Sequence, residues 1–406
     1  MNRLRSINPA FRTLFFMWLG WAAVMLLFQA YVPARFDLQR PDNVLSWTGR
    51  ETTRGAQSDK IYLNEPFLNS HVSWDSEFYL AISLVGYNDP AVRTVGVDFG
   101  DLGTGAGFWP FYIPANLGAA HELSLSYAFF PFYPLVMRAL SIPLSIFGMN
   151  PIATSTLAGV IVSLLGALAG MIALYDMARN ELGDDGALRA AFYLIIFPSA
   201  MFMAQIYTEG LFVGLAFMSL ALMRRGHLGW AALLAACATL TRAVGVALVV
   251  PLFIAWLRTE EWREIDLEWR QIYLKGIPWK TIARALLAIS PLITFLLWRV
   301  SFYGLAFGKV EDEFFGRGLA SFGTSFLAWH TAFSSLFGPN SQTAAYYALE
   351  FGAVILGVVA CMAEFRKNND LAWFGLLVIF FSVTSGQAMG MHRYVLAAPP
   401  IFLFLA

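Results

Sequence analysis

Four ionisable residues lie in or beside apolar segments and have side chains that could do chemistry: Asp75, Glu209, Arg242 and Arg393. A carboxylate at a membrane surface can take a proton from an alcohol and so act as a general base. A guanidinium is always charged, and its planar fork of N–H donors matches the oxygens of a phosphate. The combination indicates proton transfer and phosphate binding at an apolar boundary.

Other polar and aromatic side chains in the same segments could contact a substrate. His392 precedes Arg393, and both are candidates, like Arg242, to bind the phosphate of a donor. Tyr207 stands two residues before Glu209. Arg242 interrupts an apolar stretch and has no partner in its own segment, which makes it a functional candidate by default. The remaining candidates are Trp74, Glu77, Phe130, Tyr133 and Arg317.

The two carboxylates also have purely structural interpretations. Asp75 could be the N-cap of a helix that ends near Gly86, with Trp74 as an interface anchor. Asp-x-Glu is a weak metal signal by itself. Glu209 could be an acid at a helix N-terminus that interacts with the helix dipole.

The arginines and the aromatic segment have such alternatives as well. Arg242 and Arg393 could form ion pairs with Glu209 or Asp75 and serve stability alone. The segment Phe129–Pro134 is typical of an aromatic belt at a membrane interface in which proline breaks the helix.

The composition excludes a soluble protein. The chain has 406 residues, of which 58% are apolar and 13% charged, whereas soluble proteins carry about 25% charged residues. Its 27 basic and 27 acidic residues balance, so no overall field would attract nucleic acid. Cys237 and Cys361 each lie in an apolar run, which favours buried thiols over a disulfide or a metal site.

Apolar runs of about 20 residues predict an all-α polytopic membrane protein with about nine to ten transmembrane helices. Two short neighbouring segments, with Arg242 between them, are interpreted as one broken hairpin. The predicted spans are residues 13–33, 151–175, 190–208, 210–223, 227–241, 243–257, 282–302, 341–363, 371–390 and 394–406.

Arginine and lysine are enriched in cytoplasmic loops, and this bias sets the predicted orientation. It places Arg224 and Arg225 inside and leaves residues 34–150 as a long extracytoplasmic first loop. Within that loop the apolar stretch Tyr127–Met149 should lie along the interface without crossing, because prolines interrupt it and Arg138 lies at its centre. The unusual acids and bases then all fall on the extracytoplasmic face.

No motif for a cofactor is present. The chain lacks zinc-ligand spacing, a Walker loop and a dinucleotide fingerprint, so we expect neither metal nor cofactor. The glycines between Gly96 and Gly107 lack a strand–helix context and predict a flexible loop rather than a phosphate cradle.

The ordered set of motifs resembles the PIG-V family of membrane mannosyltransferases, within the GT-C glycosyltransferase superfamily. Two positions depart from the family pattern: Ser73 stands where a basic residue often precedes Trp-Asp, and Phe315-Gly-Arg317 stands in place of Trp-Gly-Arg. The resemblance is carried by Trp74-Asp75 with Gly86-Tyr87, Phe129–Pro134, Phe197–Glu209, Leu240–Gly245 and Arg393-Tyr394.

The resemblance implies a GT-C-like helical bundle that works as a single unit over residues 1–406. It implies an inverting transfer of a hexose, with mannose expected, from a polyprenyl-phosphate donor to an extracytoplasmic or lumenal hydroxyl. In that scheme Asp75 is the base, Arg242 and Arg393 stabilise the phosphate, Glu209 holds a sugar or the base, and Phe129–Pro134 flanks the prenyl chain. The acceptor would be a glycolipid, a glycan or a protein.

Two other classes of membrane protein also fit part of the pattern. A carrier or flippase of lipid-linked substrates would line its path with Glu209, Arg242 and Arg393. It predicts inverted repeats, and the broken hairpin at Arg242 has no counterpart in the other half of the sequence. A lipid-linked glycan polymerase or ligase usually has its large outer loop late in the chain, whereas here the loop follows the first span.

Overall fold

The computed structural model describes residues 9–35, 44–51, 57–98, 120–258, 279–318 and 320–406. Most of these residues are helical. The helices are α1 Pro9–Arg35, α2 Thr48–Glu51, α3 Ser76–Leu84, α4 Phe132–Leu144, α5 Pro151–Ile196, α6 Thr208–Arg224, α7 Leu228–Thr239, α8 Val249–Leu257, α9 Trp279–Ala288, α10 Ser290–Arg299, α11 Phe302–Glu313, α12 Phe322–Ser335, α13 Ser341–Glu364, α14 Asn369–Val383, α15 Met391–Tyr394 and α16 Pro399–Leu405.

Three helices among the described residues are long and apolar enough to cross a membrane: α1 over Pro9–Tyr31, α5 and α13. The pair α9 and α10 passes the same test when taken together, although it bends by 61°. The expected helical membrane protein is thus confirmed, and the total of nine to ten crossings stays a prediction. The two cysteines are free thiols, Cys361 being buried and Cys237 half-buried.

One expected span, residues 190–208, is divided differently in the structure. Helix α5 ends at Ile196, and Phe197 has ψ 142°, the extended conformation that a following proline imposes. A short 3-10 helix, Ala200–Ala204, leads to an extended Tyr207 before α6 begins. The prediction missed this irregular stretch because its residues are uncharged and mostly apolar, so the apolar run continues through it.

The first loop contains a two-stranded antiparallel sheet, which the all-α expectation did not include. Strand β1, Thr94–Asp98, pairs with β2, Ala120–Ser124, with Thr94 opposite Ser124 and Asp98 opposite Ala120. Gly96 lies in β1 rather than in a loop, and the glycines expected to form the flexible loop after residue 98 lie outside the described residues.

Helix α4 matches the expectation for the interfacial stretch. Its 13 residues span about 20 Å at 1.5 Å per residue, less than a hydrocarbon core of about 30 Å. Arg138 donates hydrogen bonds from Nε to the Ser83 carbonyl at 2.6 Å and from a terminal nitrogen to the Leu84 carbonyl at 3.1 Å. Its charge therefore caps the C-terminal end of α3.

Helices α5 and α6 cross at glycines. A Cβ on Gly210 would lie 2.3 Å from the Ser163 carbonyl oxygen, and one on Gly166 would lie 2.3 Å from the Gly210 carbonyl oxygen. Small residues allow such close backbone approach in membrane helices. This crossing fixes the start of α6, where Glu209 lies.

Gly210→Ala is expected to destabilise the protein by about 1–3 kcal/mol through overpacking. Thermal unfolding in detergent should show a lower Tm. Gly352→Ala on α13 is the matched control, because a Cβ there meets no atom within 4 Å. Equal Tm values for the two variants would contradict the close crossing.

Candidate active site

The first loop is held against the segment that precedes α6. The Ile206 N–H donates to the His71 carbonyl at 3.1 Å, and the Ser76 hydroxyl donates to the Ile206 carbonyl at 3.1 Å. The Tyr207 hydroxyl donates to the Ser73 carbonyl at 3.0 Å. These bonds place Asp75, between Ser73 and Ser76, beside the start of α6.

Asp75 immediately precedes α3 but does not cap it. Its side chain makes no hydrogen bond to the helix N-terminus, so the capping interpretation is wrong. One carboxylate oxygen, Oδ2, lies 3.5 Å from a terminal nitrogen of Arg393, and the side chain keeps 30% of its surface exposed. Trp74 has a left-handed backbone, with φ 43°, and its side chain is partly exposed.

Glu209 lies between two arginines. Its Oε1 is 2.8 Å from Nη1 of Arg242 and 3.1 Å from Nε of Arg393, and the side chain is 2% exposed. The same Arg242 nitrogen donates to the Thr208 hydroxyl at 3.2 Å. The other oxygen of Glu209, Oε2, has no well-aligned hydrogen bond to the described residues and can accept one from a ligand.

Aromatic rings surround the arginines. The Arg393 guanidinium lies 4.7 Å from the Phe202 ring centre and 4.9 Å from that of Tyr207. The Arg242 guanidinium lies 4.8 Å from the Tyr394 ring centre. Such cation–π contacts hold a guanidinium in place without neutralising it. Arg242 and Arg393, although paired with Glu209, keep 17% and 16% of their side-chain surface exposed.

Glu209, Arg242 and Arg393 together line a narrow cleft with about 10 Å³ of free space, room for about one water molecule. The cleft is lined by Glu209, Phe212, Val213, Arg242, Val244, Arg393, Tyr394, Leu396 and Ala397.

Arg317 joins the group from the loop after α11. It donates to the Met389 carbonyl at 3.2 Å, and its guanidinium lies 5.7 Å from the Tyr394 ring centre. Burial raises the pKa of Glu311 on α11 to about 7; Arg317 acts against this rise and Asp75 adds to it. Burial also raises the pKa of Asp75, while Arg393 draws it down in part.

These two carboxyl groups predict a bell-shaped pH dependence of kcat/KM. Activity should rise as pH rises through the elevated pKa of Asp75, because a base must be ionised to accept a proton. It should fall above about pH 7 as Glu311 ionises, since that negative charge repels a phosphate. Glu311→Gln should remove the alkaline limb, and its persistence in this variant would assign that limb to another group.

Several predicted site residues lie apart from the arginine group. Glu77 is buried with its Oε2 3.7 Å from Lys60 Nζ, and Lys60 also pairs with Glu51 at 2.8 Å. The hydroxyl of the fully buried Tyr133 lies 2.9 Å from the Ser163 hydroxyl. Phe130 stacks on Trp298 with ring centres 4.1 Å apart.

Two residues in this region were missed in the sequence. Tyr394 contacts the guanidiniums of Arg242, Arg317 and Arg393; the sequence marked it only as part of the Arg393-Tyr394 motif and gave it no role in a site. Glu350 is wholly buried and pairs with His392. Its signal was present, because an ionisable residue inside a membrane segment is a functional candidate.

Within the described ranges, no three His, Cys, Asp or Glu side chains come together as a metal site. The site as built from side chains therefore offers guanidiniums to an anion and carboxylates to hydroxyl groups. This arrangement can bind a phosphate and take a proton from an alcohol beside it.

Comparison with known proteins yields one family match and several structural ones. No curated protein matches the sequence significantly. ArnT from Cupriavidus metallidurans bound to undecaprenyl phosphate superposes with a TM-score of 0.44 at 15% identity, covering 85% of this chain and 56% of that chain. The apo form of that protein gives 0.41 at 19% identity with the same coverage. The chain thus spans a little over half of that protein's length.

Residues 110–302 match the family model for mannosyltransferase (PIG-V). The range contains Tyr133, Glu209 and Arg242, whereas Asp75 and Arg393 lie outside it and join the same site only through the fold. This match confirms, over residues 110–302, the resemblance to the mannosyltransferase (PIG-V) family drawn from the motifs Phe129–Pro134, Phe197–Glu209 and Leu240–Gly245.

Proposed function

We propose that the protein is an inverting GT-C glycosyltransferase. It moves a hexose, with mannose expected, from a polyprenyl-phosphate donor to an acceptor hydroxyl on a glycolipid or glycan. The observation that carries the proposal is the Arg393 guanidinium, which lies 3.5 Å from Asp75 and 3.1 Å from Glu209. The proposed base is thereby adjacent to a phosphate-binding cation that lines the cleft.

The donor phosphate binds the guanidiniums of Arg242 and Arg393. A guanidinium can donate two parallel hydrogen bonds to the oxygens of a phosphate. The developing charge on the leaving phosphate is then stabilised by cations already in place. Arg317 adds a third positive charge from behind Tyr394. The Oε2 atom of Glu209 is free to accept a hydrogen bond from a sugar hydroxyl.

Asp75 accepts the proton of the acceptor hydroxyl, and the oxygen attacks the anomeric carbon of the donor sugar. The bond from that carbon to the phosphate oxygen breaks as the new glycosidic bond forms, and polyprenyl phosphate leaves with the electron pair. Attack opposite the leaving group inverts the anomeric centre. The elevated pKa of Asp75 favours this role, because a base works best with a pKa near the working pH.

The prenyl chain would lie along an apolar surface near the broken hairpin. Phe130, Phe295 and Trp298 form a cluster of their own, and Leu240, Ala243, Val246 and Phe307 pack against it. Leu240 and Ala243 flank Arg242 in sequence, so the aromatic cluster continues from the phosphate-binding end of the cleft. This supports the expected place of Phe130 beside the lipid.

An extracytoplasmic site agrees with the charge distribution along α6. Glu209 lies at the first turn of this 17-residue helix and Arg224 at its last, about 22 Å away at 1.5 Å per residue. Arg224 pairs with Asp370 at 2.7 Å, and Arg225 pairs with Asp176. The basic end belongs to the cytoplasmic side by the positive-inside rule, which leaves the site on the opposite face.

The test supplies labelled polyprenyl-phosphate mannose and native lipid extract to membranes that contain the protein. We expect release of polyprenyl phosphate together with labelled product. A parallel assay with the glucose donor distinguishes the sugar. No release from either donor would contradict the transferase, and a flux assay of the labelled lipid would then test a carrier.

A further inference from the structure

A buried carboxylate lies next to the catalytic group without belonging to it. Glu350 lies on α13, an apolar helix long enough to span the membrane, and none of its surface is exposed. Charged groups in such places are rare and have specific partners. The hydrogen-bond partners of Glu350 all belong to one short segment and one neighbouring tyrosine.

Both oxygens of Glu350 are occupied. Oε1 accepts from the Gly390 N–H at 2.6 Å and lies 3.0 Å from His392 Nδ1, while Oε2 accepts from the His392 N–H at 2.9 Å. Tyr346, one turn earlier on α13, also accepts from the Gly390 N–H, at 3.2 Å. Glu350 thus binds the stretch 390–392 at three points.

That stretch begins helix α15, which has only four residues and carries Arg393. Gly390 before it has a positive φ of 82°. The first N–H groups of a helix have no partner within it, and a single turn is not stable alone. The Glu350 carboxylate supplies from another helix the acceptor that an N-cap side chain would otherwise provide.

Arg393 follows directly, and its place depends on this anchored turn. Besides Glu350 and Tyr346, Ser199 also contacts the turn: its hydroxyl donates to the His392 carbonyl at 2.5 Å. The Arg393 guanidinium must lie between Asp75 and Glu209 to pair with both carboxylates. A displacement of about 1 Å at a catalytic group can cost about a hundredfold in rate.

We propose that Glu350 is a positioning residue that fixes the turn 390–392 so that Arg393 lies between Asp75 and Glu209. Its effect on catalysis rests on the proposed transferase function, whereas its effect on the turn does not. His392 then serves this anchor through Nδ1, which differs from the phosphate-binding role first expected for it.

The test compares Glu350→Gln with Glu364→Gln. Glu364 is a matched control: it lies on the same helix, is 8% exposed and accepts from Asn368 at 2.8 Å at the far end. Hydrogen–deuterium exchange in detergent should show amides of the 390–394 region exchanging about tenfold faster in Glu350→Gln, because hydrogen bonds to a charged acceptor are lost. The Glu364 variant should leave that region unchanged.

Kinetics supply the second readout. We expect kcat/KM for the lipid donor to fall about a hundredfold in Glu350→Gln, and this fall should vanish when the change is made in an Arg393→Ala background. In such a double-mutant cycle, substitutions of residues that act through one another have non-additive effects. A merely structural role would lower activity by the same factor in both backgrounds.

Each outcome decides the inference. Unchanged exchange in Glu350→Gln, or a loss of activity that adds fully to that of Arg393→Ala, would overturn it. If the wild-type protein transfers no sugar, the proposed function fails, and the exchange comparison alone then supports or overturns the anchoring role.

Discussion

Asp75→Asn is expected to lower the rate of sugar transfer by about 10²–10⁴-fold, the usual contribution of a general base. Asparagine keeps the size of the side chain but cannot accept the hydroxyl proton. The fold should persist, because Asp75 is 30% exposed and its side chain does not cap α3. Single-turnover release of polyprenyl phosphate measures the rate.

Asp59→Asn is the control for this substitution. Asp59 is an exposed carboxylate of the same loop, so its removal should leave transfer near the wild-type rate. Near-normal turnover by Asp75→Asn would remove Asp75 as the base. A lower Tm of Asp75→Asn relative to Asp59→Asn would instead indicate a structural role.

Arg393→Ala is expected to lower kcat/KM for the lipid donor by about 10²–10³-fold, as the loss of one preorganised donor to a developing oxyanion does. Arg393 is the only guanidinium among the described residues that pairs with both Asp75 and Glu209. Its loss therefore removes a phosphate ligand and also frees the base. The dependence of the initial rate on donor concentration provides the measurement.

Arg393→Lys separates charge from geometry. A lysine restores a point charge without the planar fork, so we expect a partial recovery only. Arg366→Ala, at an exposed position in the turn just after α13, should have no effect. If Arg393→Ala unfolds the protein while Arg393→Lys restores full activity, the arginine serves the ion pair alone.

Much of the site could be identified in the sequence because its chemistry stands out from apolar surroundings. Glu209, Arg242 and Arg393 were singled out as charges at span ends, and the structure brings them within ion-pairing distance. The ion pairs considered as an alternative for both arginines are thus present in the structure. The ion pairs do not exclude the proposed phosphate role, since the side chains of Arg242 and Arg393 keep 17% and 16% of their surface exposed.

Other residues were assigned to a site by proximity in sequence alone. Glu77 lies two residues from Asp75, yet α3 turns it toward Lys60. His392 adjoins Arg393, yet its ring faces Glu350. Neighbours along a helix point in different directions, with about 100° between successive side chains, so sequence adjacency does not imply a shared partner.

The sequence by itself determined the class of protein and the kind of chemistry. Apolar runs require a membrane because helices of that length satisfy their backbone hydrogen bonds internally in lipid. The motif set indicated a family resemblance, which the family-model match confirms over residues 110–302. Only the tertiary structure decided which charges meet. Asp75, Glu209 and Arg393 come from segments far apart in the chain. Three sets of contacts bring them together: the hydrogen bonds from the first loop to Ile206 and Tyr207, the glycine crossing of α5 with α6, and the anchor from Glu350. Such contacts depend on backbone approach and side-chain direction, which a linear pattern of residue types does not contain.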